Sequence, residues 1–243
     1  MTIKKHKFGE LESVKFDHRR EDFYKYLDYL KTKNFKIDDF LEHYTAYAGH
    51  MALNRIFTIY EYYKMVKEVA GHVSEIGVYK GAGTMLFAKM IKIFENESLT
   101  QVHGFDWFKG TGSAGKNDSD LVPEGSYKSS HNDLIELIKL QKLDHIVRIH
   151  NIDLTTNELK TFFDKFKHIQ FKLVFMDAGR YSIMKNCIPL FWSRLSRGGI
   201  MVFDQYNHEL GPGETLSVRE LLPNAKVKTL PNSWMPNAYV VKD

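Results

Sequence analysis

HVSEIGVYKGAGT, residues 72–84, decides how this chain folds. A short apolar run, HVSEIGV at 72–78, reads as a strand. Gly77, Gly81 and Gly83 follow in a tight turn, and GTMLFAKMIKIF continues as an amphipathic helix. Glycine lets a backbone adopt positive φ and pass close to a ligand. A strand, a glycine turn and a helix form the opening unit of an α/β sheet.

The same texture repeats downstream. Strands are predicted at 101–106 (QVHGFD), 146–152 (IVRIHNI), 171–177 (FKLVFMD) and 198–204 (GGIMVFD), with helices around 155–166 and 181–193. Late strands are predicted at 225–230 and 237–243. This β-α alternation calls for a mostly parallel sheet with helices on both faces. Such sheets place ligands at the carboxyl ends of their strands. Those ends are polar: Glu75, Asp106, Asn151 and Asp153, Asp177, and Asp204. For Asp153, followed by Thr155, Thr156 and Asn157, capping of the next helix and a ligand role are both open. Asp106 and Asp204 stand at least ten residues from the next predicted helix, which favours a site.

The turn lacks the G-x-G-x-x-G fingerprint, because Tyr79 stands where its second glycine belongs. It also lacks the G-K-S/T of a phosphate-binding loop. Asp106 ends the adjacent strand 29 residues after Gly77, where a carboxylate can accept from ribose hydroxyls. The combination indicates an adenosine-containing cofactor without the diphosphate site of NAD.

EIGVYKGAGT, HGFDWFKG, FMDAGRY and GGIMVFDQYN, in this order, resemble the class I S-adenosylmethionine-dependent methyltransferases. Within them the chain is similar to the macrocin O-methyltransferase family, over about residues 50–241. The resemblance implies a Rossmann-like sheet of order 3-2-1-4-5-7-6 with the last strand antiparallel. It also implies S-adenosyl-L-methionine as cofactor, with Gly77 and Gly81 against the methionine portion, Glu75 near its amino group and Asp106 on the ribose hydroxyls. Asp153 falls where such enzymes contact adenine. Arg55 matches an arginine expected near the cofactor carboxylate, against the alternative of a surface position on an amphipathic helix. Trp107, beside Asp106, either covers the adenosine or anchors its own loop.

A sugar hydroxyl needs a base or a metal to become a nucleophile at neutral pH. The resemblance implies an acid after strand four and two consecutive acids after strand five. Asp177 and Asp204 match the first two, and Gln205 replaces the third. The resemblance implies a divalent cation, Mg2+, on Asp177, Asp204 and Gln205. Catalytic roles fall to Asp177, Asp204 and His208, the last as an alternative base or simply an exposed loop histidine.

The front third is helical, over 19–33 and 40–69 with a break near Ala48-Gly49. Residues 1–70 are expected to form a cap or an oligomerisation segment, such as a homodimer surface, ahead of a methyltransferase domain at 71–243. The loops 107–130 and 206–214 flank the site, and the acceptor is expected to be a sugar, glycan or glycosylated small molecule.

Of the 243 residues 43% are hydrophobic and 26% charged, ample for a core and unlike a disordered chain. One cysteine, Cys187, excludes an internal disulfide and a cysteine-based zinc site. The net charge of +4 is dispersed, apart from Lys4, Lys5 and Lys7, so nucleic acid is not expected. The first residues lack the apolar core of a secretory signal, and no run approaches the roughly 18 apolar residues of a membrane span. A cytoplasmic, membrane-free enzyme is the expectation. An NAD-dependent oxidoreductase, a non-catalytic protein retaining the fold, and a nucleic-acid methyltransferase are the alternatives.

Overall fold

A computed structural model describes residue 22 and residues 24–33 and 36–243. The basic cluster at Lys4, Lys5 and Lys7, and Phe23 of the 19–33 helix, lie outside the described residues. Residues 24–31 are helical (α1), followed by α2 (Ile37–Glu42), α3 (Tyr44–Tyr47) and α4 (His50–Met65). The break expected near Ala48-Gly49 separates α3 from α4, and His43 adds another between α2 and α3.

The remaining order is β1 (His72–Ile76), α5 (Ala82–Phe94), β2 (Val102–Asp106), α6 (His131–Leu140), β3 (Val147–Asn151), α7 (Glu158–Lys165), β4 (Phe171–Met176), α8 (Tyr181–Arg194), β5 (Leu195–Phe203), α9 (Pro212–Leu221) and β6 (Ala238–Val241). The strands form one sheet, β3-β2-β1-β4-β5-β6, parallel except for the antiparallel β5–β6 pair. This is the Rossmann-like class I methyltransferase arrangement. The strand expected at 225–230 contracts to one antiparallel bridge, Lys228 to Tyr239, at the sheet edge. Lys226 and Lys228 put charge on that edge, a pattern that discourages further pairing.

β4 is buried at every position, as expected for a parallel strand covered on both faces. Its alternation sorts the core into two layers. Leu173 and Phe175 face one layer with Ile59, Tyr62 and Tyr63 of α4 and Phe87 of α5. Val174 and Met176 face the other with Phe163 of α7, Phe191 of α8 and Val218 of α9. The second half of α4 therefore belongs to the same core as β1. By contrast, α2 and α3 bury no residue. Away from the acidic rim, Lys172 is 1% exposed and its Nζ lies 2.7 and 2.8 Å from the two Glu95 carboxylate oxygens. No helix among the described residues is long and apolar enough to cross a membrane.

Candidate active site

Three positions one step beyond their strands are still held by sheet hydrogen bonds. Gly77 N–H donates to the Phe105 carbonyl (3.0 Å), Asp177 N–H to Ile76 (2.8 Å) and Asp204 N–H to Met176 (3.0 Å). Parallel register thus gathers the acids and the glycine turn on one rim. Gly77 has φ +89, and a Cβ there would stand 2.2 Å from the Asp177 carbonyl oxygen, so only glycine closes this corner.

Glu75 lies beneath the turn, 1% exposed. Its carboxylate accepts the Thr84 hydroxyl, and a Cβ on Gly83 would fall 1.9 Å from its Oε1. Gly81, the N-cap of α5, has no side chain to cap the helix, so Glu75 supplies an acceptor at the helix start from the neighbouring strand. Burial pushes its carboxyl up to about 7, against the lowering effects of Thr84 and Arg55.

Asp106 fastens the turn from the side. Its Oδ2 accepts from Val78 N–H (2.8 Å) and Tyr79 N–H (2.9 Å), and its Oδ1 accepts from Phe108 N–H (2.7 Å). A carboxylate offers about four acceptor sites, so roughly one remains for a ribose hydroxyl while these bonds persist. The group is half-buried, as is Gly77 beside it, whereas Gly81 and Gly83 are buried, Gly81 against the Leu134 side chain and Gly83 against Glu75.

Arg55 is half-buried and turns toward the rim. Its Nη1 lies 2.5 Å from Asp204 Oδ1 and its Nη2 lies 2.8 Å from Asp177 Oδ2, with the guanidinium over the Phe175 ring at 5.5 Å. Desolvation and then the Asp204 charge raise the Asp177 carboxyl well above the usual carboxylate range, and Arg55 only partly offsets this. The Arg55 pKa is raised, because Asp204 and Asp177 outweigh the cost of burial.

This geometry corrects the expected Mg2+ site on Asp177, Asp204 and Gln205. Among the described residues no three His, Cys, Asp or Glu side chains are grouped to hold a metal ion. The guanidinium bridges the two carboxylates where a divalent ion would bridge them. The Gln205 amide oxygen is packed instead against Gly179 and Gly211, where an added Cβ would come within 2.6 Å of it.

Other expected residues are placed less directly. Asp153 Oδ1 accepts from Thr155 N–H (2.9 Å) and Oγ1 (2.7 Å), which organises the turn before α7. Trp107 Nε1 donates to Gly110 within its own loop (2.5 Å). His208 Nδ1 accepts from Leu210 N–H (3.1 Å), leaving Nε2 to carry the proton of a neutral ring.

Sequence reasoning passed over Glu214, fully buried in the first turn of α9, which accepts Gln205 N–H at 2.8 Å. Burial, then Asp204, raises its carboxyl well above the ordinary range. The signal for it was Pro212 followed two residues later by an acid, a helix-start pattern. The loop 107–130 is tied down: Arg180 donates to the Ser119 (3.0 Å) and Val122 (2.7 Å) carbonyls, and Asp118 accepts Tyr181 N–H (2.7 Å). Tyr127 from this loop meets Tyr79 edge-on at 5.5 Å. Although Tyr127 is 63% exposed, partial desolvation and then Asp177 raise its phenol, placing it within the field of the acid pair.

The donor set suits a ribose hydroxyl at Asp106. It offers no diphosphate cradle, since Tyr79 occupies the fingerprint position and Lys80 is exposed. A family profile described as "Methyltransferase domain" matches residues 74–206, more than half of the chain. The chain belongs to this methyltransferase family.

Solved structures agree on the fold of this methyltransferase. CalS11, described as a calicheamicin methyltransferase, superposes with a TM-score of 0.81 at 18% identity, covering 92% of each chain. An apo structure of CalS11, described as a TDP-rhamnose 3'-O-methyltransferase, gives 0.73 at 19% identity over 92% of this chain and 94% of that one. The O-methyltransferase NovP gives 0.62 at 17% identity, over 78% of this chain and 79% of that one. No curated protein matches the sequence.

Proposed function

We propose that this methyltransferase transfers a methyl group from S-adenosyl-L-methionine to a hydroxyl of a sugar or glycosylated small molecule. The observation that carries the reading is the Arg55-braced pair Asp177–Asp204, standing on the same rim as the glycine turn and Asp106. CalS11, described as a TDP-rhamnose 3'-O-methyltransferase, shares this fold and supports a sugar-bearing acceptor. The narrower likeness to the macrocin O-methyltransferases rests on the HGFDWFKG and GGIMVFDQYN segments.

The cofactor, when bound, supplies an electrophilic methyl on a sulfonium. Asp106 takes a ribose hydroxyl, and Gly77 and Gly81 admit the chain beside it. Arg55 retains guanidinium donors beyond its two ion pairs and holds the cofactor carboxylate. Asp177 accepts the acceptor's hydroxyl proton: its raised pKa brings it closer to the strength a base needs near neutrality. Asp204, 4% exposed, positions Arg55 and keeps Asp177 basic by like-charge repulsion. The strapped loop borders the reacting atoms through the Tyr127–Tyr79 contact. His208, with Nδ1 bonded to the backbone, is the lesser candidate for the base. The helices before the sheet serve as a cap or an oligomerisation surface, and α4 delivers Arg55 to the rim.

Incubation with S-adenosylmethionine carrying a tritiated methyl, across a panel of aryl glycosides and nucleotide sugars, tests this. Label is expected on a sugar hydroxyl, with D177N nearly inactive. Label on nitrogen, or full turnover by D177N, contradicts it.

A further inference from the structure

Between α4 and the segment leading into β6 lies an open cleft of about 420 Å³ lined by His50, Met51, Leu53, Asn54, Phe57, Asn232 and Trp234. The volume lies within the range of small-molecule sites. Two elements that build the cleft also flank the reacting rim. Met51 precedes Arg55 by one helical turn and so shares its face of α4. Asn54 Nδ2 donates to the Asn232 carbonyl (3.0 Å), fastening α4 to the 231–236 segment. That segment runs into Asn237, whose N–H donates to Phe203 (3.1 Å) and whose Nδ2 donates to the Tyr206 carbonyl (2.6 Å), on either side of Asp204.

The lining chemistry is selective. Among the described residues the cleft presents no Lys, Arg, Asp or Glu. Apart from the His50 imidazole, a nucleoside diphosphate would find no side chain there that could carry a positive charge and replace its hydration. Phe57 and Trp234 offer ring faces, Leu53 and Met51 apolar contact, and Asn54 and Asn232 amide edges. Phe57 is 58% exposed, which leaves part of its ring open to a ligand.

We infer that this cleft holds the uncharged, ring-bearing portion of the acceptor, the aglycone of a glycoside, while its sugar hydroxyl reaches Asp177. The inference rests on the sugar-directed reading above. It assigns this chain a neutral glycoside as acceptor rather than a sugar nucleotide.

Calorimetry with 4-nitrophenyl α-L-rhamnopyranoside and with TDP-rhamnose, each added to protein saturated with S-adenosylhomocysteine, tests the assignment. The nitrophenyl glycoside is expected to bind saturably and more tightly than TDP-rhamnose. Phe57→Ala and Trp234→Ala are each expected to weaken it at least tenfold, with S-adenosylhomocysteine affinity held within twofold. Because Phe57 is largely exposed, its variant preserves the fold. The inference is overturned by absent binding to the wild type, by unchanged affinity in both variants, or by preference for TDP-rhamnose. It is also overturned if F57A changes the molecular mass in light scattering, since the cleft then joins two copies of the chain. If the wild type fails to bind S-adenosylhomocysteine while F57A still weakens the glycoside, the cleft stands and the methyltransferase reading falls.

Discussion

Arg55 and Asp204, 149 residues apart in sequence, meet through a 2.5 Å charge-assisted hydrogen bond at the rim of the sheet. The same guanidinium reaches Asp177, so two acids that repel each other share one resident cation. This triad joins the N-terminal helices to the site, and its removal should affect both stability and chemistry.

Arg55→Ala leaves the Asp177 and Asp204 carboxylates facing each other. A cost on the order of 2 kcal/mol is expected, at the lower end for a buried pair because Arg55 is 35% exposed. Urea denaturation at neutral pH measures it. Arg55→Lys should recover only part, since an ammonium cannot reproduce the two-pronged contact.

Asp177→Asn should lower turnover by about 10²–10⁴-fold, as expected for loss of a general base. Cofactor affinity should change much less. In the wild type the raised Asp177 pKa produces an acidic limb, with activity rising as the group deprotonates. Asp204→Asn removes the like charge and should move that limb to lower pH, which a pH–rate profile of kcat will show.

Glu75 gives stability its own pH dependence. Its carboxyl is raised from 4.5 to about 7, so the folded state binds its proton more tightly than the unfolded chain. That contribution is fully present below pH 4.5 and is lost as pH rises through 7. Glu75→Gln retains an acceptor for Thr84 and cannot ionise. The stability of wild type relative to E75Q should therefore fall by on the order of 3 kcal/mol across this window, by urea titration at several pH values. A flat difference would show that Glu75 does not carry this charge.

Gly77→Ala places a methyl 2.2 Å from the Asp177 carbonyl at φ +89. It should destabilise by more than about 2 kcal/mol. Gly112→Ala, with nothing within 4 Å of the new methyl, should stay within about 0.5 kcal/mol of wild type. Thermal melts of the two variants compare them directly.

The sheet was legible because apolar runs such as FKLVFM leave little choice for a strand buried on both faces. The rim acids were legible because each ends such a run. The metal reading failed because the same two acids serve a divalent ion or a guanidinium equally well, and only folding brings Arg55 between them. Asp106 was located correctly on the rim, but its three backbone donors depend on the turn at Val78 and Tyr79 and the bend at Phe108. Helix α6 was missed behind a long polar loop, although Ser130 caps it by accepting from Asp133 N–H at 3.2 Å. Lys226 and Lys228 alternate like a strand, yet at the sheet edge only Lys228 finds a partner.

The central claim is that the glycine turn and Asp106 hold S-adenosylmethionine. Calorimetric titration of the wild type with S-adenosylmethionine and, separately, with NADH tests it most directly, with Asp106→Ala as the paired variant. Saturable binding of S-adenosylmethionine is predicted, weakened in D106A by about 1.5–3 kcal/mol, with no binding of NADH. Tight NADH binding, or S-adenosylmethionine affinity unchanged in folded D106A, would contradict the account.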